Sequence, residues 1–204
     1  MPDSQLGTAR DALLAGAIQV FSEKGFYGTR ITDITSAAGV AAGSFYTYFD
    51  SKEEILGAVM DKLEFNFPAD IPGAPTSDPE AARAWLREAL DTTVERFIEN
   101  ARVWRAVQQA ALGVDHVRLR VGADQAAAAA SVSRAIQPLV ASGLASPRTT
   151  TDFVARALVA MTEECLFQWR LLVEEAVERE VAVDRLLQAW SRLLRLPPPV
   201  VRHA

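Results

Sequence analysis

Apolar residues recur at spacings of three and four along nearly the whole chain. From Thr8 to Lys24 they fall at Leu13, Ala17, Val20 and Phe21, with Leu14 and Ile18 widening the stripe. That spacing places them on one face of a helix, and Gly25 supplies its C-terminal stop. A second, short helix is predicted over 31–38, with Thr29 or Thr32 as cap and Gly39 at its end. After the turn at Val40, Ala41 and Ala42, a third begins near Gly43 and ends by Phe49. "DSKEE" then starts a fourth, to Phe67. Asp50 or Ser51 caps it, and Glu53 and Glu54 sit where the helix dipole favours negative charge.

The pattern breaks once, at "PADIPGAPTSDP" (68–79), which holds four of the ten prolines and reads as an ordered loop or linker. Helices are predicted beyond it over 79–100, 101–113, 115–142, 147–178 and 182–196, punctuated by Gly113, Gly143 and Pro147; Gly122 is a possible break within the third of these. No alternating strand pattern exceeds a few residues, and no repeat occurs. The fold class is all-α.

Composition narrows the function. With 204 residues, half of them hydrophobic, the chain has ample length for a buried core. A single cysteine, Cys165, excludes an internal disulfide framework and any multi-cysteine zinc site, and fits a reducing compartment. No segment approaches the ~18 uncharged apolar residues of a membrane span. The run Ala12–Phe21 is flanked by Asp3 and Asp11 and lacks a cleavage pattern, so no leader is expected and the location is cytoplasmic. The net charge of −5 does not by itself suggest nucleic acid.

The stretch "GVAAGSFYTYFDSKEEI" (39–55) changes that view. Two short helices joined at Gly39–Ala42, behind a longer amphipathic one, form a helix-turn-helix unit, whose second helix enters the DNA major groove. Gly43 and Ser44 allow close backbone approach. Tyr46, Thr47 and Tyr48 offer hydroxyls for phosphates or bases and flat faces for thymine methyls. Lys52 adds a cation at a helix start, and Phe45 and Phe49 are expected to be buried. Up to Glu54 the chain has four basic and seven acidic side chains, so such a surface rests on a few well-placed cations, helix N-termini and hydroxyls.

The segment Leu13–Leu56, through "VFSEKGFYGT", "ITDITSAAGV" and "GSFYTYFDSKEEI", resembles the N-terminal domain of TetR-family transcriptional regulators. The resemblance implies a DNA-binding domain over 1–54 (motif about 30–49) and a helical effector-binding and dimerisation domain over 55–204. It implies a homodimer that binds a palindromic double-stranded operator and responds to a small effector. The family's DNA-contacting places fall on Thr32, Ala42, Gly43, Ser44, Tyr46, Thr47, Tyr48 and Lys52, with Thr29 and Arg30 at the entrance of the second helix. Ala41 and Ala42 depart from the polar residues common there, which moves base reading to Ser44, Tyr46, Thr47 and Tyr48.

Aromatic residues of the second part are first of all core or interface. The expected pocket, for a small hydrophobic or amphipathic effector, is assigned to Phe65, Trp85, Phe97, Trp104 and Trp169, with Met161, Cys165 and the polar Gln108; Gln109, Glu163, Glu164 and Gln168 are further polar candidates. Two apolar stripes run along 147–178. One is Val154, Leu158, Met161, Cys165, Trp169, Leu172; the other is Phe153, Ala157, Ala160, Phe167, Leu171, with Glu164 beside it. A helix apolar on two sides needs two covers. The homodimer contact is therefore assigned to the second stripe and to Val183, Leu186, Leu187, Trp190 and Leu194. No catalytic residue, cofactor or metal site is expected. Two rivals remain: an interaction module whose DNA-reading face has decayed, and an enzyme, which the scarcity of histidine disfavours.

Overall fold

A computed structural model describes residues 3–63, 71–169 and 177–198. Its described elements are helical: α1 (Asp3–Gly28), α2 (Ile31–Ala38), a 3₁₀ helix (Ala42–Thr47), α3 (Lys52–Leu63), α4 (Pro79–Gly113), α5 (Asp115–Ala141), α6 (Thr151–Phe167) and α7 (Arg179–Leu194). The all-α expectation holds. By packing, the chain forms two compact units, Met1–Phe65 with Asn100–Gly122, and Asn66–Glu99 with Ala123–Ala204. The first thus holds 55–65 and 100–122 in addition to the 1–54 segment.

In the first unit, the predicted stripe of α1 is the core. Leu13, Leu14, Val20 and Phe21 are buried, with Ala17 between them, as are Ile34 of α2, Phe45 and Phe49, and Ile55 and Leu56 of α3. Each such side chain contributes about 1.5–3 kcal/mol. Gly16 permits the close crossing of α1 and α2, since a Cβ there would lie 2.8 Å from the Ile34 carbonyl oxygen. Gly25 stops the regular helix as expected, with φ 68° and ψ −177°, although the chain turns helically again to Gly28.

In the second unit α4 contributes Ala82, Leu86, Leu90 and Val94 to the core, α5 Val132, Ile136 and Leu139, and α6 Val154, Leu158 and Val159. The Trp190 indole of α7 donates to the Thr162 hydroxyl at 3.0 Å, in a buried bond. Arg83 donates to Ser191 Oγ at 3.1 Å and to the backbone oxygen of Pro197, tying α4 to the end of α7. Arg179 forks onto Asp91 at 2.7 and 2.5 Å and reaches Glu95 at 2.6 Å. The described part of the proline-rich segment is anchored, with Ala74 buried and its N–H donating to the Ala135 carbonyl at 2.9 Å.

Several boundaries differ from the pattern reading, among them the last helix, which runs Arg179–Leu194 rather than 182–196. The helices expected over 79–100 and 101–113 are one 35-residue helix, because no glycine, proline or cap interrupts the apolar stripe there. Gly122 does not break α5, and Pro138 is accommodated inside it. Helix α6 starts at Thr151 rather than at 147, because the Thr150 hydroxyl accepts from Phe153 N–H at 3.3 Å and caps it there. The segment from Gly43 to Phe49 is a 3₁₀ helix over Ala42–Thr47.

Candidate nucleic-acid interface

The second helix of the motif is capped from within. Asp33 accepts from the Arg30 backbone N–H at 3.0 Å and pairs with Lys24 at 2.9 Å. These contacts, the Lys24 bond first, hold the Asp33 carboxyl below its ordinary range. At the other end Gly39 N–H and Val40 N–H return to the carbonyls of Ser36 and Thr35, and close α2. Neither Thr29 nor Thr32 caps the helix: the cap position is Arg30.

The 3₁₀ helix sits on the core through two rings. Phe45 and Phe49 are buried with centroids 5.8 Å apart. Tyr46 meets Phe45 edge-on at 5.4 Å yet stays 62% exposed. Ala42, Gly43 and Thr47 are exposed, Ser44 and Tyr48 half-buried. With exposed Arg30 and Thr32 they complete an outward surface from the start of α2 to Tyr48. A cleft of ≈ 480 Å³ opens beside Tyr48, lined also by Arg10, Ser51, His116 and Arg120. Arg10 lies over the Phe49 ring at 5.4 Å, a contact the pattern reading missed. Helix α3 begins at the expected signal: Ser51 Oγ accepts from Glu54 N–H at 3.1 Å, and the Glu54 carboxylate accepts from Asp50 N–H at 2.5 Å.

Two expected contacts are corrected. Thr29 is buried, and its hydroxyl donates to the Gly25 carbonyl at 2.6 Å, so that side chain is withdrawn from the outward surface. Lys52 does not stand free for phosphate. Its ammonium donates to the carbonyls of Phe26 at 2.8 Å and Thr29 at 3.1 Å, and lies 4.2 Å from the Phe26 ring centroid. The same turn is gripped from its other side by Gln109 of α4, whose Oε1 accepts from Phe26 N–H at 2.8 Å. Gln109, a candidate pocket group by sequence, is therefore a support of the helix-turn-helix unit. Its partner lies 83 residues away, so no local pattern signals it.

Residues 13–59 match the family profile described as "Bacterial regulatory proteins, tetR family". That segment is similar to the TetR-family domain. The match covers the motif, from the α1 stripe to α3. The HTH-type transcriptional repressor DhaR of Mycobacterium sp. (strain GP1) is 45% identical over 54 residues, 26% of this chain and 27% of that protein. The HTH-type transcriptional repressor KstR2 of Rhodococcus jostii (strain RHA1) is 45% identical over 104 residues, 49% of this chain and 48% of that protein. The chain thus spans between about a quarter and half the length of these relatives. A TetR-family regulator from Rhodococcus sp. superposes with a TM-score of 0.71 at 20% identity, covering 91% of this chain and 98% of that one. The likeness in all-α fold to that structure therefore extends over both units.

The assigned pocket residues divide between the units. Trp104 and Gln108 lie in the first; Trp85, Phe97, Met161, Cys165 and Trp169 lie in the second. Phe97 and Trp104 are buried, the others half-buried, and Phe65 lies outside the described residues. Burial and the charge of Glu164 push the Cys165 thiol up. The assigned dimer contacts separate sharply. On α6, Phe153 is 62% exposed, Ala160 and Glu164 are exposed, and Ala157 and Phe167 are half-buried. On α7, by contrast, Val183, Leu186, Trp190 and Leu194 are buried within their own chain, because this face packs as core. They are withdrawn from the interface, which leaves half-buried Leu187. Leu171 lies outside the described residues.

Proposed function

We propose that this protein is a transcriptional repressor that binds palindromic double-stranded operator DNA as a homodimer and is released by a small hydrophobic or amphipathic effector. The observation that carries the reading is the outward surface of Arg30, Thr32, Ala42, Gly43, Ser44, Tyr46, Thr47 and Tyr48, displayed by an internally capped motif. Small residues at its start let the backbone approach the duplex, and the hydroxyls after them reach phosphates and base edges. Cations are few there, so affinity should depend on salt only shallowly. DhaR and KstR2 are both repressors by name, which favours repression. A two-fold dimer would set two such surfaces about 34 Å apart, or a multiple of that, on the duplex.

The helical segment 55–204 supplies the effector site and the dimer contact in this reading. No reaction on the effector is needed. A ligand that binds better to the form unable to hold DNA shifts the population towards it. No described helix is long and apolar enough to cross a membrane, in keeping with a cytoplasmic site of action. The test is a fluorescence-anisotropy titration of the protein with duplex DNA flanking its own gene, against scrambled duplex. Specific binding at a two-fold-symmetric sequence supports the proposal. Equal, weak binding to both duplexes would instead favour an interaction module.

A further inference from the structure

Three arginines stand around an apolar groove with nothing to neutralise them. The groove, ≈ 350 Å³, lies in the second unit between the start of α6 and the end of α7. Its wall is Phe153, Val154 and Ala157 of α6 with Leu193 of α7, and Arg148, Arg192 and Arg195 form its rim. Phe153 is 62% exposed and Leu193 43%, so the fold leaves both in water.

The arginines are exposed, and none of their guanidiniums has an ion pair or hydrogen bond among the described residues. No acid among those residues lines the groove, although the whole chain carries 26 acids against 21 bases. The acids of α6 are engaged or placed elsewhere. Asp152 accepts from the Ser133 hydroxyl at 2.5 Å. Glu163 accepts from Gln125 Nε2 at 2.6 Å, and burial, with Asp124 nearby, pushes its carboxyl up to about 7; it does not line the groove.

Helix dipoles account for one of the three cations. Arg192 sits in the last turn of α7, where positive charge is favoured, but Arg148 precedes α6, at the end where it is disfavoured. Arg195 is the one residue other than glycine at positive φ among the described residues, with φ 53° and ψ 45°, at a helix end that usually takes glycine. The backbone beneath them is tied together. Ser146 N–H donates to the Leu194 carbonyl at 3.0 Å, joining the loop before α6 to the end of α7, and Leu196 N–H donates to the Ser191 carbonyl at 2.9 Å.

An apolar wall under a cationic rim suits an occupant with an apolar body and a negative head. Guanidinium forks match a carboxylate through two parallel hydrogen bonds. A volume near the lower end for ligand pockets suits a small molecule. A second copy fits poorly, because an isologous contact centred on this groove sets arginine against arginine.

We propose that the groove binds an amphiphilic carboxylate, a medium-length aliphatic acid whose head meets the arginine rim and whose chain lies along Phe153 and Leu193. None of the residues assigned to the effector lines it, so this is a second ligand site, independent of that reading.

Isothermal titration of the full chain with sodium decanoate, below its micelle concentration, tests the site. Decanoate should bind at least about tenfold more tightly than hexanoate, since each methylene that reaches the wall adds about fourfold. Decyltrimethylammonium, with the same chain and the opposite charge, should bind at least about tenfold more weakly than decanoate. Arg195→Gly removes a guanidinium where glycine is the easier residue. Combined with Arg148→Ala, at an exposed position, it should weaken decanoate about tenfold or more and leave the melting temperature of the free protein unlowered. Unchanged decanoate affinity in this double variant overturns the site and leaves the effector reading standing. Absent binding of decanoate to the wild type, or equal binding of the two amphiphiles, overturns it too. So does a double variant that sediments as a monomer where the wild type is a dimer, since the groove is then a subunit contact.

Discussion

Gln109 Oε1 accepts from the Phe26 backbone N–H at 2.8 Å and occupies the space where a Cβ on Gly25 would stand, 2.4 Å away. The break after α1, which turns the chain into the helix-turn-helix motif, is thus held by a side chain from α4. Gly25→Ala should lower stability by about 1–3 kcal/mol from backbone strain alone, beyond the displacement of Gln109. Gln109→Ala should lose about 1–3 kcal/mol by leaving the Phe26 N–H unpaired. Urea unfolding measures both, and wild-type midpoints would dissolve this link.

Lys52 closes the same turn from below, through the carbonyls of Phe26 and Thr29. Lys52→Ala should cost about 1.5–3 kcal/mol of stability, since bonds to a charged donor are lost. A thermal melt decides the matter. An unchanged midpoint together with weaker DNA binding would return Lys52 to the phosphate contacts.

Tyr46 and Thr47 face outward while Phe45 holds their helix to the core. Tyr46→Ala and Thr47→Ala should weaken operator binding by up to about 1–3 kcal/mol each where the side chain meets a base, with stability near wild type. Phe45→Ala should instead destabilise the fold by about 3–5 kcal/mol. Anisotropy titrations and melts on the same samples separate the two classes; operator affinity unmoved by both surface changes would remove this face from DNA.

Glu163 carries a pH signature within its own subunit. Its carboxyl titrates near 7 when folded, against an ordinary 4.5. Between these values the folded chain binds more protons than the unfolded one, so subunit stability falls as pH rises from about 4.5 to 7. Below that window the penalty is absent, and above it the penalty is complete, about 1–3 kcal/mol. Glu163→Gln keeps an acceptor for Gln125 and should flatten this slope and stabilise the subunit at pH 8. Unfolding of dilute, monomeric protein at pH 5 and pH 8 reads it, and identical slopes in variant and wild type would refute it.

The buried bond from Trp190 to Thr162 joins α7 to α6. Thr162→Val keeps the shape and removes the acceptor, leaving a buried indole N–H unpaired at a cost of about 1–3 kcal/mol. Denaturant midpoints should fall accordingly, while operator binding at low temperature stays near wild type.

The sequence by itself determined what depends on near neighbours. The stripe of α1, the Ser51–Glu54 start of α3, and the burial of Phe45 and Phe49 beside an exposed Tyr46 all follow from spacings of a few residues, whereas which of the two α6 stripes is left uncovered does not. Helical period and capping are set by side chains one or two turns apart, and the family motif is built of such spacings. Tertiary structure alone decided which polar groups were already taken. Thr29, Lys52 and Gln109 look like contact or pocket residues in one dimension, yet each is spent on the Gly25–Thr29 turn. In the same way the apolar face of α7 became core rather than interface, because Thr162 and the arms of Arg83 draw it onto its own chain. A local pattern registers that a group is polar or apolar. Thr29 finds its acceptor four residues back, but the partners of Lys52, Gln109 and Arg83 lie 23, 83 and 108 residues away and are fixed only when the helices pack.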